Sequence, residues 1–257
     1  MDITSQLTVV IPVRIDCQER SENIESILIY LINCTSANIV IMEVDDKQKL
    51  FIKLMNKRIK YYFQRDLDRI FHHTRYRNEL TKLSETNIVA VWDADVFINP
   101  NQIIKGIELI NNGLSMCIPY DGRAFYLDST DSKEARKDIF SYLHSYKEGS
   151  HVVTLGRLSV GGVFIVNKDR YLQIGGENEN FYGWGPEDAE RVKRMEILEE
   201  PISRIEGPLF HLYHQRGVNS TFGYDDRDKN NMIELIKVCR MNTIQLKEYI
   251  NSWIWVK

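Results

Sequence analysis

The sequence has no apolar run approaching the ~18 residues that a membrane span requires. The opening stretch, MDITSQLTVVIPVRID, lacks the basic and apolar regions of a secretory signal and reads as a first strand. Its cysteines are few, Cys17, Cys34, Cys117 and Cys239, and none are spaced as CxxC. That spacing predicts reduced thiols in a cytosolic protein, not a disulfide framework or a zinc site. Basic charge is not in excess either: 33 basic against 36 acidic side chains leave a net charge of −3. This excludes a protein built mainly to hold nucleic acid on a basic face. No internal repeat or low-complexity linker is present. The expectation is a cytoplasmic chain whose membrane contact, if any, is peripheral at the inner face. Its C-terminal helix and Trp253/Trp255 are the candidate contact, with packing of that tail onto the domain the blander reading.

What is there suits one large domain. The length, 257 residues, is tight for two full nucleotide-binding domains, and 43% hydrophobic content predicts a sizeable core. The first half alternates apolar strands with helices: strands at Leu7–Ile15, Asn38–Val44, Ile59–Phe63 and Asn87–Trp92. Helices are expected from Ser21, in the lysine-rich stretch after Asp45-Asp46, and over Asp66–Glu85. Continuous apolar strands separated by helices predict a mostly parallel sheet covered on both faces. Ligands on such sheets sit at the carboxyl ends of the strands, where Arg14, Asp45 and Asp93–Asp95 fall. The second half is less regular. It suggests helices at Pro100–Asn112, Lys133–Tyr146, Glu187–Glu199 and Asp228–Ile250, and strands at Ser115–Tyr120, Ser159–Val166 and Ser203–His214. A polar segment around Glu148–Arg157 includes the one weak point, Gly149-Ser150. The expected division is a nucleotide-binding half over residues 1–120, an acceptor half over 150–220, and a C-terminal helix and tail over 226–257.

Three short motifs carry chemistry. Asp93-Ala94-Asp95 places two carboxylates at a strand end, where Mg²⁺ or Mn²⁺ would find oxygen ligands; a solvated strand end is the alternative. His211 and His214, three apart after an extended run, could meet on a metal ion or be two ordinary histidines. The adjacent His72 and His73 point in different directions on a helix and would not share an ion. Gly183-Trp184-Gly185-Pro186-Glu187-Asp188 joins a flexible turn, a flat aromatic face suited to a sugar ring, and two acids at a helix start. Either acid could serve as a general base; both could equally be stabilising helix-terminal charges.

In order, a strand-terminal DxD, a Gly161-Gly162 strand, GWGPED and HLYH resemble inverting GT-A glycosyltransferases. The pattern looks most like the C-terminal region of β-1,4-galactosyltransferases and related family 2 enzymes. It runs from the VVIPVR strand through HLYHQR. The resemblance implies a GT-A fold, a single Rossmann-like domain with a smaller acceptor-side subregion. It implies Asp95 as metal ligand and Asp93 as nucleotide contact. His211 and His214 fall where the family has a Met and a His in the metal shell. Asp188 falls on the catalytic base, with Glu187 beside it and Trp184 over the sugars. Pro12, Val13 and Arg14 match residues lining the nucleotide, and Asp45 ends the second strand where base or ribose is often held. Arg75, Arg77 and Asn78 resemble donor-pocket residues, though RYRNELTK also suits a solvated helix face. Ala189 departs from the family, which has a further Asp there, and puts the acceptor in question.

The implied activity is metal-dependent transfer, with inversion, of Gal, GalNAc, Glc or GlcNAc from a UDP-sugar to a glycan or glycolipid hydroxyl. Mn²⁺ or Mg²⁺ is the implied cofactor. A retaining transferase and a non-catalytic sugar-nucleotide-binding module are the alternatives. A nucleotidyltransferase fits less well, because PVRIDCQER lacks the Gly-rich loop such enzymes carry after the first strand.

Overall fold

The computed structural model describes residues 2–52, 56–146, 158–223 and 225–256. The central sheet is built from runs that are apolar on both faces. These are β1 (Leu7–Val13), β2 (Asn38–Asp45) and, after the mostly exposed edge strand β3 (Ile59–Arg65), β4 (Ile88–Trp92). Every residue of β1 and β4 is buried. Helices α1 (Gln18–Cys34) and α2 (His73–Leu83) make the parallel crossovers. Pro12 is tolerated in β1 because pairing with β4 ends at Val10↔Val91, so its missing N–H interrupts no ladder on that side.

The remaining elements in chain order are β5 (Val96–Ile98), α3 (Pro100–Asn111), β6 (Met116–Ile118), β7 (Ala124–Tyr126), α4 (Ser129–Lys137) and α5 (Ile139–Ser145). They continue with β8 (Val163–Asn167), α6 (Lys168–Gln173), α7 (Glu187–Ile197), β9 (Ile202–Arg204), β10 (Leu209–His211), α8 (Asp226–Cys239) and α9 (Thr243–Asn251). The large sheet has the order β3-β2-β1-β4-β8-β6-β9. All its pairings are parallel except those of β8, which runs antiparallel to β4 and β6. A small sheet, β5-β10-β7, sits beside it. One hydrophobic core runs from Leu7 to Leu212, spanning both expected halves.

Several expected elements differ. No lysine-rich helix forms over residues 46–52, while 53–55 lie outside the described residues. The buried Glu43 carboxylate takes the Lys49 and Leu50 amides, at 2.7 and 3.1 Å, that a helix would have used. The expected Asp66–Glu85 helix begins only at His73, and α1 begins three residues before Ser21. Lys133–Tyr146 is two helices, because Asp138 turns extended (φ −161°) and caps the second. Ser203–His214 is two strands in different sheets, broken at Gly207 (φ +113°) and Pro208. Asp228–Ile250 is α8 and α9, the latter restarted by an Asn242 capping box. Within Ser159–Val166 the strand begins only at Val163, after Gly162 at φ +87°. The Gly149-Ser150 boundary and the polar segment around it lie outside the described residues.

The tail packs inward. Trp253 is buried, stacks on Trp255 with centroids 4.9 Å apart, and joins Val238, Leu246 and Ile250 in a second cluster. No helix among the described residues is long and apolar enough to cross a membrane. Helix α3 starts with a capping box: Asn99 accepts from the Asn101 amide at 3.0 Å, and Gln102 accepts from the Asn99 amide at 2.9 Å. Asn99→Ala is expected to lower unfolding free energy by about 1 kcal/mol in urea titration; an unchanged midpoint would count against the cap.

Candidate active site

Strand β4 ends at Trp92, and the chain turns through Asp93 and Asp95 before β5 begins. Strand β10 pairs antiparallel with β5, setting His211 opposite Val96. The Leu212 amide then donates to Asp95 O at 2.8 Å, which curls the chain and brings His214 in. Asp95, His211 and His214 each offer one ligand atom, all within 4.8 Å of one another. His211 Nε2 lies 3.6 Å from Asp95 Oδ1, and His214 Nε2 lies 3.4 Å from Asp95 Oδ2. Both Nδ1 atoms face backbone carbonyls, Leu212 O at 2.8 Å and Gln215 O at 2.9 Å. A carbonyl only accepts, so Nδ1 carries the proton in each ring. In the neutral rings this turns the Nε2 lone pairs toward Asp95. Burial pulls His214 below the usual imidazole range, which favours that neutral form.

A second cluster of acids lies across the cleft. The motif Gly183–Asp188 runs into α7, with Glu187 and Asp188 in its first turn. Asp188 Oδ1 accepts from Arg77, at 3.4 Å, and from Arg191. Its Oδ2 is turned toward Gly161, where a Cβ would sit only 2.2 Å from it. Glycine at 161 is therefore the space that the carboxylate occupies. Tyr120 fixes this glycine by donating to its carbonyl at 2.6 Å. Arg191 is fully buried, donates to Glu177 Oε1 at 2.7 Å and lies 3.6 Å above the Phe164 ring. Arg77 is buried among four carboxylates: Asp93 at 3.0 Å, Asp188 at 3.4 Å, Glu187 at 3.6 Å and Glu177 at 3.8 Å. Burial, and then the neighbouring Asp188, push the Glu187 carboxyl well above its ordinary range, against the pull of Arg77.

Both clusters open on one cleft of ≈ 880 Å³. Asp93, Asp95, His211 and His214 line it, and so do Trp184, Glu187 and Asp188. Pro12, Val13 and Arg14 stand at the β1 end of the same cleft. Four other expected donor-pocket residues do not line it. Arg75 faces solvent and pairs with Glu79 at 2.9 Å. Asn78 is buried and clasps the Glu177 backbone through both its amide and its carbonyl. Arg77 lies beneath the cleft, occupied by the acids above it. Asp45 is buried beside Lys49 at 2.7 Å, with Oδ2 lacking a partner. The motif reading missed Arg20, Arg216 and His73, which do line the cleft. His73 is pulled well below the usual range by burial, and its buried Nε2 has no partner. No sequence signal separates these three from ordinary basic residues.

A profile for the N-terminal domain of galactosyltransferase matches residues 150–215. No curated protein sequence matches the chain. Among solved structures, the catalytic domain of Drosophila β1,4-galactosyltransferase 7 in complex with xylobiose superimposes with a TM-score of 0.53 at 14% identity, covering 87% of this chain and 78% of that one. GalNAc-T7 with UDP, GalNAc and Mn²⁺ gives 0.60 at 12% identity, over 90% of this chain and 47% of that one. Glucosyl-3-phosphoglycerate synthase from Mycobacterium tuberculosis, with Mn²⁺, UDP and phosphoglyceric acid, gives 0.53 at 9% identity, over 93% and 81%. The fold of this chain is that of the GT-A glycosyltransferases, and its profile match takes in GWGPED and HLYH.

The raised Glu187 carboxyl makes a stability prediction. A folded-state pKa above the unfolded value means that this group's contribution is full below the unfolded carboxylate range and is lost as pH rises through the folded value. Glu187→Gln is therefore expected to raise the thermal midpoint near about pH 8 and leave it unchanged near about pH 4. Equal shifts at both values would reject the assignment.

Proposed function

We propose that this protein is a metal-dependent glycosyltransferase that moves a sugar from a UDP-sugar to a hydroxyl of a glycan or glycolipid, with inversion at the anomeric carbon. The observation that carries the reading is one cleft, on a GT-A fold, holding Asp95, His211 and His214 at one side and an oriented Asp188 at the other. One carboxylate and two imidazoles with inward lone pairs fit Mn²⁺, and less closely Mg²⁺, which prefers oxygen. Those three residues would hold the ion, which supplies charge neutralisation at a diphosphate leaving group. Similar structures carrying Mn²⁺ with UDP support the same choice.

The chain's own groups do the rest. Arg77 and Arg191 hold one oxygen of Asp188, so the other oxygen is the one left to accept the proton of an attacking hydroxyl. Burial and the neighbouring Asp188 push the Glu187 carboxyl upward, which disfavours a second negative charge beside that base. Trp184, about a third exposed at the cleft wall, offers its ring to a sugar. Pro12, Val13 and Arg14 stand where the nucleoside would lie, and the partnerless oxygen of Asp45 lies at the end of the neighbouring strand. Ala189 in place of a further acid points to an acceptor different from that of β-1,4-galactosyltransferases.

A panel of UDP-Gal, UDP-GalNAc, UDP-Glc and UDP-GlcNAc with Mn²⁺ or Mg²⁺ tests the reading by UDP release. No release from any donor, together with no UDP binding by calorimetry, would favour a binding module instead. Asp188→Asn is expected to lower transfer at least about 100-fold while UDP still binds. Gly161→Ala is expected to act in the same direction, since its methyl takes the place of Asp188 Oδ2. Near-normal turnover by Asp188→Asn would remove Asp188 from the role of base.

A further inference from the structure

The first turn of α1 sends into the cleft a side chain that the proposed reaction leaves without a role. Arg20 donates from Nη1 to Asp95 Oδ2 at 2.9 Å. Its Nη2 lies 3.3 Å from His214 Nδ1 and 3.5 Å from His214 Nε2. Because Nδ1 already donates to Gln215 O, Nε2 is the ring atom able to accept from Arg20. Asp16 grips the guanidinium from behind, Oδ1 to Nε at 2.9 Å. The side chain is only 15% exposed. One guanidinium thus holds Asp95 Oδ2 and His214 Nε2, the pair of atoms on the His214 side of the metal site, while Asp95 Oδ1 faces His211.

We infer that Arg20 is a resident counter-ion of the metal site, exchanged between Asp95 and the diphosphate of the donor, and that this exchange couples metal binding to nucleotide binding. The inference rests on the metal and donor roles proposed above. A dication and a guanidinium cannot both sit against Asp95 Oδ2 and His214 Nε2, since like charges at contact in a buried site repel strongly. A metal ion that takes His214 Nε2 must therefore displace Arg20 from the imidazole and bring like charge against its pair with Asp95. When a diphosphate enters with the metal, Arg20 exchanges one anion for another while Asp16 keeps it at the cleft wall. Metal binding is then weak without nucleotide and strong with it. By linkage each ligand tightens the other by the same factor.

The test measures Mn²⁺ binding by electron paramagnetic resonance, with and without UDP, in the unsubstituted protein, Arg20→Gln and Arg20→Lys. In Arg20→Gln, Mn²⁺ affinity without UDP is expected to rise about fivefold or more, and the enhancement by UDP to fall by a similar factor. Arg20→Lys, which keeps the charge, is expected to retain weak metal binding in the absence of UDP. Unchanged metal affinity and unchanged enhancement in Arg20→Gln would overturn the inference, as would a Lys variant indistinguishable from the Gln variant. Failure of the unsubstituted protein to bind Mn²⁺, with or without UDP, would instead overturn the metal reading itself.

Discussion

A buried guanidinium surrounded by carboxylates is costly unless each charge has its partner, and Arg77 is such a group. It sits on the inner face of α2, under the point where β4 ends and α7 begins. Asp93 comes from the first, Glu187 and Asp188 from the second, and Glu177 from the loop between α6 and α7. None of these acids could approach the others so closely without a cation between them. Arg77 therefore serves less as a ligand contact than as the charge around which two distant chain segments converge. Arg191 extends the arrangement, linking Glu177 to Asp188 above the Phe164 ring.

The sheet supplies the frame for this charge. Because β8 runs antiparallel beside β4, its start lies next to the end of β4, and the Asp93 amide donates to Gly162 O at 2.8 Å. The glycine pair is thus delivered to the DxD turn by strand direction. Its lack of side chains admits Asp188 from the other flank. The small sheet does the same for the histidines: β10 returns against β5, the three-residue strand directly after the DxD, and ends at His211 beside Asp95, with His214 three residues on. Each half of the cleft is therefore the meeting of a strand end with the start of an antiparallel neighbour, β8 in the large sheet and β5 in the small one.

Much of this was legible in the chain. Strands buried on both faces are continuous apolar runs, so Leu7–Ile15, Asn38–Val44 and Asn87–Trp92 stood out. Asp93, Asp95, Asp188, His211 and His214 were visible because acids and imidazoles at element ends are chemically conspicuous. Strands of three residues, β5 and β7, are too short to show a period. The splits at Asp138, Gly207 and Asn242 depend on capping and turn contacts that periodicity does not weigh. Arg77 read as a donor-pocket residue or a solvated helix charge, and Arg20 drew no role, because the partners that decide their roles lie far along the sequence. Arg77 meets Asp188 across 111 positions, and Arg20 meets Asp95 across 75. Charge pairing of this reach is written in the fold and not in the spacing.

The inward-packed tail has a further consequence. Trp255 donates to Gly175 O at 3.2 Å, Lys82 on α2 donates back to Trp255 O at 3.0 Å, and Gly175 has no room for a Cβ against Trp253. The end of the chain thus buttresses the loop that carries Glu177, and through Glu177 the two arginines. Loop and tail form one packed unit: replacing the Gly175–Pro186 loop with a foreign one would have to carry the last helix and its tryptophans along with it.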